Sequence, residues 1–244
     1  MLSYIPLIVI LAGLIAMAIV IILKKKKGSQ SREAYFESLG WQYQNGSPVH
    51  VIGDDLKKST LNFKVSSETG GVSWSIFSYL YLQIDNITNK PFTIFMAETS
   101  CMGNGRCILI PSFKNQPGYR GGKDILNRIP GIDSNFILKK IGIDASLLSG
   151  LNVYETSDEI IKNNYHIYAT GNNAFRQALS GKNEEAIGTY IMNLKNPAMI
   201  PFISFNPENL EVRISHMLEK PDEVKKLADL GISLIENTPA LNKN

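Results

Sequence analysis

Residues 5–23 carry no charged side chain, and four lysines, Lys24–Lys27, follow them at once. A hydrocarbon core about 30 Å thick is crossed by roughly 20 apolar residues of helix. The run therefore predicts a transmembrane anchor over residues 1–27 with a polybasic flank. A cleaved signal is the competing reading, since Ala16-Met17-Ala18 looks like a small-residue cleavage site. Ile19–Leu23 carries the apolar run past that site, and no Lys or Arg precedes it, so a retained signal-anchor is the better reading. Positive charge lies only on the carboxyl side, at Lys24, Lys25, Lys26, Lys27 and Arg32. The positive-inside rule then places the amino terminus outside and the remaining chain in the cytoplasm, at the cell membrane. Lysines at that depth also attract anionic lipid head groups, at about 1 kcal/mol each. The plainer reading is that they only stop translocation.

The formal charge of the whole chain is +3, and setting aside those four lysines leaves −1. The basicity belongs to the anchor flank. A nucleic-acid interface wants a basic face, so no nucleic-acid partner is expected. The two cysteines, Cys101 and Cys107, form neither CxxC nor half of a two-pair zinc pattern, and no metal site is predicted. In the cytoplasm they are expected as free thiols; in an oxidising compartment they could close a short loop.

Residues 28–34 read as a short polar linker and helix start. Ser31 is the expected cap of a helix ended by Gly40, with Tyr35, Phe36 and Leu39 on its apolar face. The linker is too short to let the domain roam from the bilayer. Residues 35–238 read as one soluble domain, and 239–244 as a tail. Leu61, Phe63 and Val65 alternate with polar residues, as a half-buried strand does. After the turn Glu68-Thr69-Gly70-Gly71, a long strand carries Val72, Trp74 and Ile76 on one face and Phe77, Tyr79 and Tyr81 on the other. Segments 92–97 and 106–110 extend an antiparallel meander. Further strands are expected at 151–154 and 165–169, with a closing hairpin over 199–217. Helices are expected at 121–129, 135–141, 173–179 and 184–194. A last amphipathic helix starts at Pro221, with Asp222 and Glu223 at its positive end. Strands and helices in separate blocks predict an α+β fold, a mainly antiparallel sheet packed by helices.

Chemistry is harder to find. The loop Pro117–Asp124 follows a predicted strand and opens a predicted helix, where Arg120, Gly121, Gly122 and Lys123 would suit a phosphate-bearing ligand. The Walker pattern fails at Pro117 and Asp124, and an ordinary exposed loop is the stronger reading. His50, His166 and His216 are scattered; His216 shares a strand face with Leu210, Val212 and Ile214 and reads as a core-edge residue. Asp158-Glu159 reads as a cap or solvent-facing pair. No nucleophile motif or kinase signature is present, and no catalytic residue or cofactor is assigned. Phe77, Tyr79 and Tyr81 form an aromatic stripe that would suit a partner surface, although helices or a second sheet covering that face is the favoured reading.

The anchor with its lysines, Ser38-Leu39-Gly40-Trp41-Gln42-Tyr43, Asn173-Ala174-Phe175-Arg176 and Lys220-Pro221-Asp222-Glu223-Val224 together resemble uncharacterised bacterial single-pass membrane proteins with a cytoplasmic domain of unknown function. The resemblance implies a bacterial membrane location and no activity. The expectation is a non-catalytic binding or scaffolding module with a protein partner at the membrane. The alternative is a membrane-tethered enzyme or sensor that uses the Gly118–Lys123 loop.

Overall fold

The structure, a computed structural model, describes residues 14, 17, 19, 20, 28–46, 59–83, 88–99, 102, 105–112 and 145–238. Their elements run in the order α1 (28–38), β1 (Gln42–Asn45), β2 (Ser59–Thr69), β3 (Val72–Gln83), β4 (Thr88–Glu98), β5 (Cys107–Pro111) and β6 (Asn152–Tyr154). There follow α2 (Glu159–Asn164), β7 (Tyr165–Ala169), α3 (Asn172–Ala178), α4 (Gly181–Met192), β8 (Phe202–Phe205), β9 (Asn209–Ile214) and α5 (Pro221–Asn237). The strands make one 9-stranded sheet in the order β1-β2-β3-β4-β9-β8-β5-β7-β6. Every neighbouring pair is antiparallel. The α+β class and the antiparallel sheet are as the sequence predicts.

One cross-strand row explains how the sheet acquires a core. Tyr43, Val65, Ile76, Phe95, Val212, Ile203, Leu109, Ile167 and Tyr154 stand opposite one another from edge to edge. The inner members from Val65 to Leu109 have no exposed surface, and Ile167 has 2%. Because side chains alternate between faces, this row points all its members to one side, where the buried residues of the helices join them in one cluster. Period 2 in each strand is thereby converted into a continuous apolar face.

Local signals set the turns. Gly70 and Gly71 have φ of 58° and 78°, and Thr69 pairs with Val72, the two-residue hairpin that two left-handed residues permit. Gly40, at φ 76°, ends α1 as expected. Trp41 N–H donates to the Phe36 carbonyl and Gly40 N–H to that of Glu37, a complete Schellman stop. Residues 28–30 are already helical and Ser29 is buried, so α1 begins before the expected Ser31 cap.

Two expectations need correction. The strand at 106–110 does not continue the meander: β9 lies beside β4, and β5 pairs with β7 and β8. The β8–β9 hairpin is inserted between β4 and β5, a long-range choice that local turn residues do not encode. His216 is exposed, because β9 ends at Ile214 and the alternation ends with it. Its carbonyl instead accepts from the buried Thr93 hydroxyl, which also accepts from Leu218 N–H and so fixes the path into α5.

The helices expected at 121–129 and 135–141 lie outside the described residues. Among the described residues no helix is long and apolar enough to cross a membrane. Most of the expected anchor, and all of Lys24–Lys27, lie outside them too. The described part of that segment is helical, and its side chains are bare: Leu14 is 59% exposed and Met17 63%.

Helix α5 comes close to the sheet at Gly231. A Cβ added to Gly231 would lie 2.5 Å from Phe95 Cδ1 and Cζ, and the Phe95 ring is stacked on Trp74 with 5.6 Å between centroids. Overpacking a filled core costs about 1–3 kcal/mol, against roughly 1 kcal/mol of helix propensity gained by replacing glycine with alanine. Gly231→Ala should therefore lower unfolding stability. Gly181→Ala, where an added Cβ meets nothing, should leave it unchanged or raised. Denaturant titration of both variants in detergent checks the contrast, and equal midpoints would refute the close contact.

Candidate functional site: a trough on the helical layer

Helices α4 and α5 lie side by side on the outer side of the core, and a trough of about 1010 Å³ runs between them. They are antiparallel: Asn237 Nδ2 reaches the Lys182 carbonyl at one end, while residues near Asn193 and Lys220 share the other. The amphipathic period explains the arrangement. In α5 the fully buried stripe of Val224, Leu227, Ala228 and Leu234 faces the sheet, and Asp222, Lys226, Asp229 and Ser233 recur at helical spacing on the flank. A buried amide locks the Lys182 end. Asn183, with no exposed surface, donates through Nδ2 to the Ala178 carbonyl and to Thr238 Oγ1, both at 2.9 Å.

The floor is apolar: Ala186, Tyr190, Leu194, Met199 and Leu230. Burial holds the Tyr190 phenol above its ordinary range, with the Glu223 carboxylate adding to the shift, so the ring enters the trough as a neutral group. The rim is charged and balanced. It holds Lys182, Lys195, Lys220 and Lys226 together with Glu185, Asp222, Glu223 and Asp229. Lys220 pairs with Glu223 at 3.4 Å, and Asp229 with Lys225 at 2.7 Å. Such exposed pairs are worth about 0–1 kcal/mol and break readily. Asp222 also accepts a hydrogen bond from the Tyr35 hydroxyl at 3.0 Å, which brings α1 to the end of the trough.

Helix α1 itself is seated by aromatic packing. Phe36 has no exposed surface and lies within 6.4 Å, between centroids, of Trp41, Tyr43 and Phe63. Trp41 meets Trp74 edge-on at 5.0 Å, and Trp74 stacks on Phe95. Arg32 sits over the Phe63 ring at 5.5 Å. A chain of aromatic contacts thus leads from α1 to the residue beneath α5.

Of the residues singled out in the sequence, Arg120, Gly121, Gly122 and Lys123 lie outside the described residues, as do Cys101, His50 and Lys24–Lys27. Cys107 is a free, fully buried thiol, and burial pushes it up to about 12, far from reactive. Asp158 caps α2, its Oδ1 accepting from Ile161 N–H at 2.9 Å. Among the described residues no group of three or more metal-ligating side chains is assembled.

The aromatic stripe on the second sheet face is closed at its centre. Tyr79 is 1% exposed, with Phe92 at 2% and Ile94 at 3%, so Tyr79 offers no free ring to a partner; Phe77 is half-buried. Tyr81 is placed in β3 by its backbone register opposite Lys90. The trough was not visible in the sequence. Its one signal was the polar stripe at 222, 226, 229 and 233, which reads as an ordinary solvated flank.

No protein-family model matches the chain, and no curated protein matches it. Among solved structures it is similar to the mycobacterial trehalose monomycolate transport factor A, TtfA, at 11% identity over 88% of this chain and 98% of that one, with a TM-score of 0.46. At that level the likeness carries no function across.

Burial keeps several phenols protonated. Tyr79 is pushed up to about 12, mainly by desolvation, with Arg213 opposing and Glu211 assisting, and Tyr165 is also raised by burial. A raised native value means the stabilisation is complete below the unfolded value of about 10 and is lost as pH climbs through about 12. The urea midpoint should hold up to about pH 9 and fall above pH 10. Tyr79→Phe should flatten that fall, and an unchanged slope would contradict the burial of Tyr79.

Proposed function

We propose that this chain is a single-pass, membrane-anchored binding or scaffolding module, with its α+β domain held against the cytoplasmic face of the bilayer. The observation that carries the reading is the uncharged apolar run of residues 5–23, upstream of a docked helix. Leu14, Met17, Ile19 and Val20 are helical and at least half exposed, whereas α1, next in the described chain, is fastened to the core through Phe36. Exposed side chains of this kind are costly in water and at home in hydrocarbon. The lysines between the two helices would lie at the head groups, where they set orientation and draw anionic lipid.

The binding reading rests on the trough. It is wide, apolar at its floor and ringed by side chains that can exchange partners. It offers no nucleophile beside a base and no buried acid aimed at a ligand, the features that would point to catalysis. Anchoring raises the local concentration of the domain against membrane-confined partners, and the Tyr35–Asp222 contact keeps one end of the trough next to the helix that leads from the bilayer.

Alkaline carbonate extraction of whole membranes tests the anchor. The full chain should stay in the pellet, and a version lacking residues 1–27 should move to the soluble fraction. A carboxyl-terminal reporter active only in the cytoplasm should be active. Release of the full chain by carbonate, or retention of the shortened one, would end this reading.

A further inference from the structure

We propose that the α4–α5 trough is the surface through which two copies of this chain pair in the plane of the membrane. The proposal deepens the binding reading by naming its partner, and it draws on the anchor for the concentration of copies. Three observations select this occupant. The rim carries equal numbers of lysines and carboxylates. A patch that meets itself across a twofold axis must supply both signs, because each residue faces its counterpart's neighbour. A strongly acidic or basic partner would call for a rim of one sign.

Shape gives the second reason. Two helices laid side by side present two ridges and one groove. Two such layers dock when each seats a helix ridge in the groove of the other, the packing of four-helix arrangements. The trough is floored by Tyr190, Leu194, Met199 and Leu230, residues suited to receive such a ridge. A small ligand would instead want converging, buried polar groups, and the charged groups here stand at the rim: Lys182, Glu185, Lys226 and Asp229 are all exposed.

The third reason is orientation. Because α1 is seated on the core by Phe36 and tied to α5 by Tyr35–Asp222, every copy holds the trough in one fixed attitude to α1, the first helix after the lysines. Association then loses little orientational freedom, which otherwise opposes weak contacts.

Charge exchange between copies tests this on the full chain. Two differently tagged forms are co-expressed, extracted in mild detergent, and scored by recovery of one through the other. Wild type should recover wild type. A copy carrying Lys182→Glu and Lys226→Glu has an all-acidic set at these positions, and one carrying Glu185→Lys and Asp229→Lys an all-basic set. Each should recover its own kind about tenfold less well than wild type does, since like charges face each other. The acidic and basic copies together should regain wild-type recovery. All four positions are exposed, so thermal unfolding of each variant should match wild type and separate lost pairing from lost folding.

Absence of wild-type recovery overturns the proposal, as does insensitivity to either charge reversal or failure of the mixed pair to regain recovery. Anionic phosphatidylglycerol vesicles provide a further arm. If they displace wild type from itself, and Lys182→Glu with Lys226→Glu abolishes vesicle binding, the trough takes lipid and the proposal falls. Carbonate resistance is read separately, so failure here leaves the anchored reading standing.

Discussion

Phe95 is the point on which the packing depends. It lies on β4, fourth of the nine strands in the row, has no exposed surface, stacks on Trp74, and meets α5 closely at Gly231. Three layers of organisation therefore meet at one ring. The sheet contributes an inner strand, α5 contributes the residue that lacks a side chain, and the aromatic path from α1 ends there. Protein interiors are packed too densely to accommodate even a methylene without cost, so α5 has little room to shift at Gly231. The trough inherits that constraint, since α5 is one of its walls.

The same packing binds the amino-terminal helix to the domain. The Schellman stop at Gly40 turns the chain sharply, and Phe36 fills a space bounded by Trp41, Tyr43 and Phe63. Aromatic pairs of this geometry add about 0.5–1.5 kcal/mol each beyond area burial. Several acting together make detachment of α1 expensive. The orientation of the domain against the direction of α1 is then a property of the fold.

Legibility in the sequence followed the range of the interactions. The strands at 165–169 and 72–83, the stop at Gly40 and the start of α5 at Pro221 depend on alternation, a left-handed glycine and a proline that needs no N–H, all within a few residues. The place of β5 depends on a hairpin from residues 202–214 entering between it and β4, and no local pattern carries that choice. Burial of Tyr79 accords with the favoured expectation of a covered face, but alternation alone does not say what closes it. The polar flank of α5 looked like any solvated helix surface, because the meaning of Lys226 and Asp229 comes from α4 alongside, forty residues earlier in rough terms.

One-sided burial also determines where a partner can attach. All the described α-helices that join the main core pack on the row face. The opposite face holds two smaller apolar clusters, one around Tyr79 and Phe92 and one around Ile108 and Phe202. Between them β9 places the Arg213–Glu211 pair, 2.6 Å apart, with side chains only 12% and 15% exposed. Removing one member of a pair so poorly hydrated leaves an uncompensated charge, so that face resists rearrangement. The outer side of the helical layer is different. Its charges are solvated, its ion pairs are local and weak, and its apolar floor is framed by two helices held rigidly from below. A surface whose backbone is fixed and whose side chains are free to re-pair is suited to docking, because little order is lost when the partner arrives.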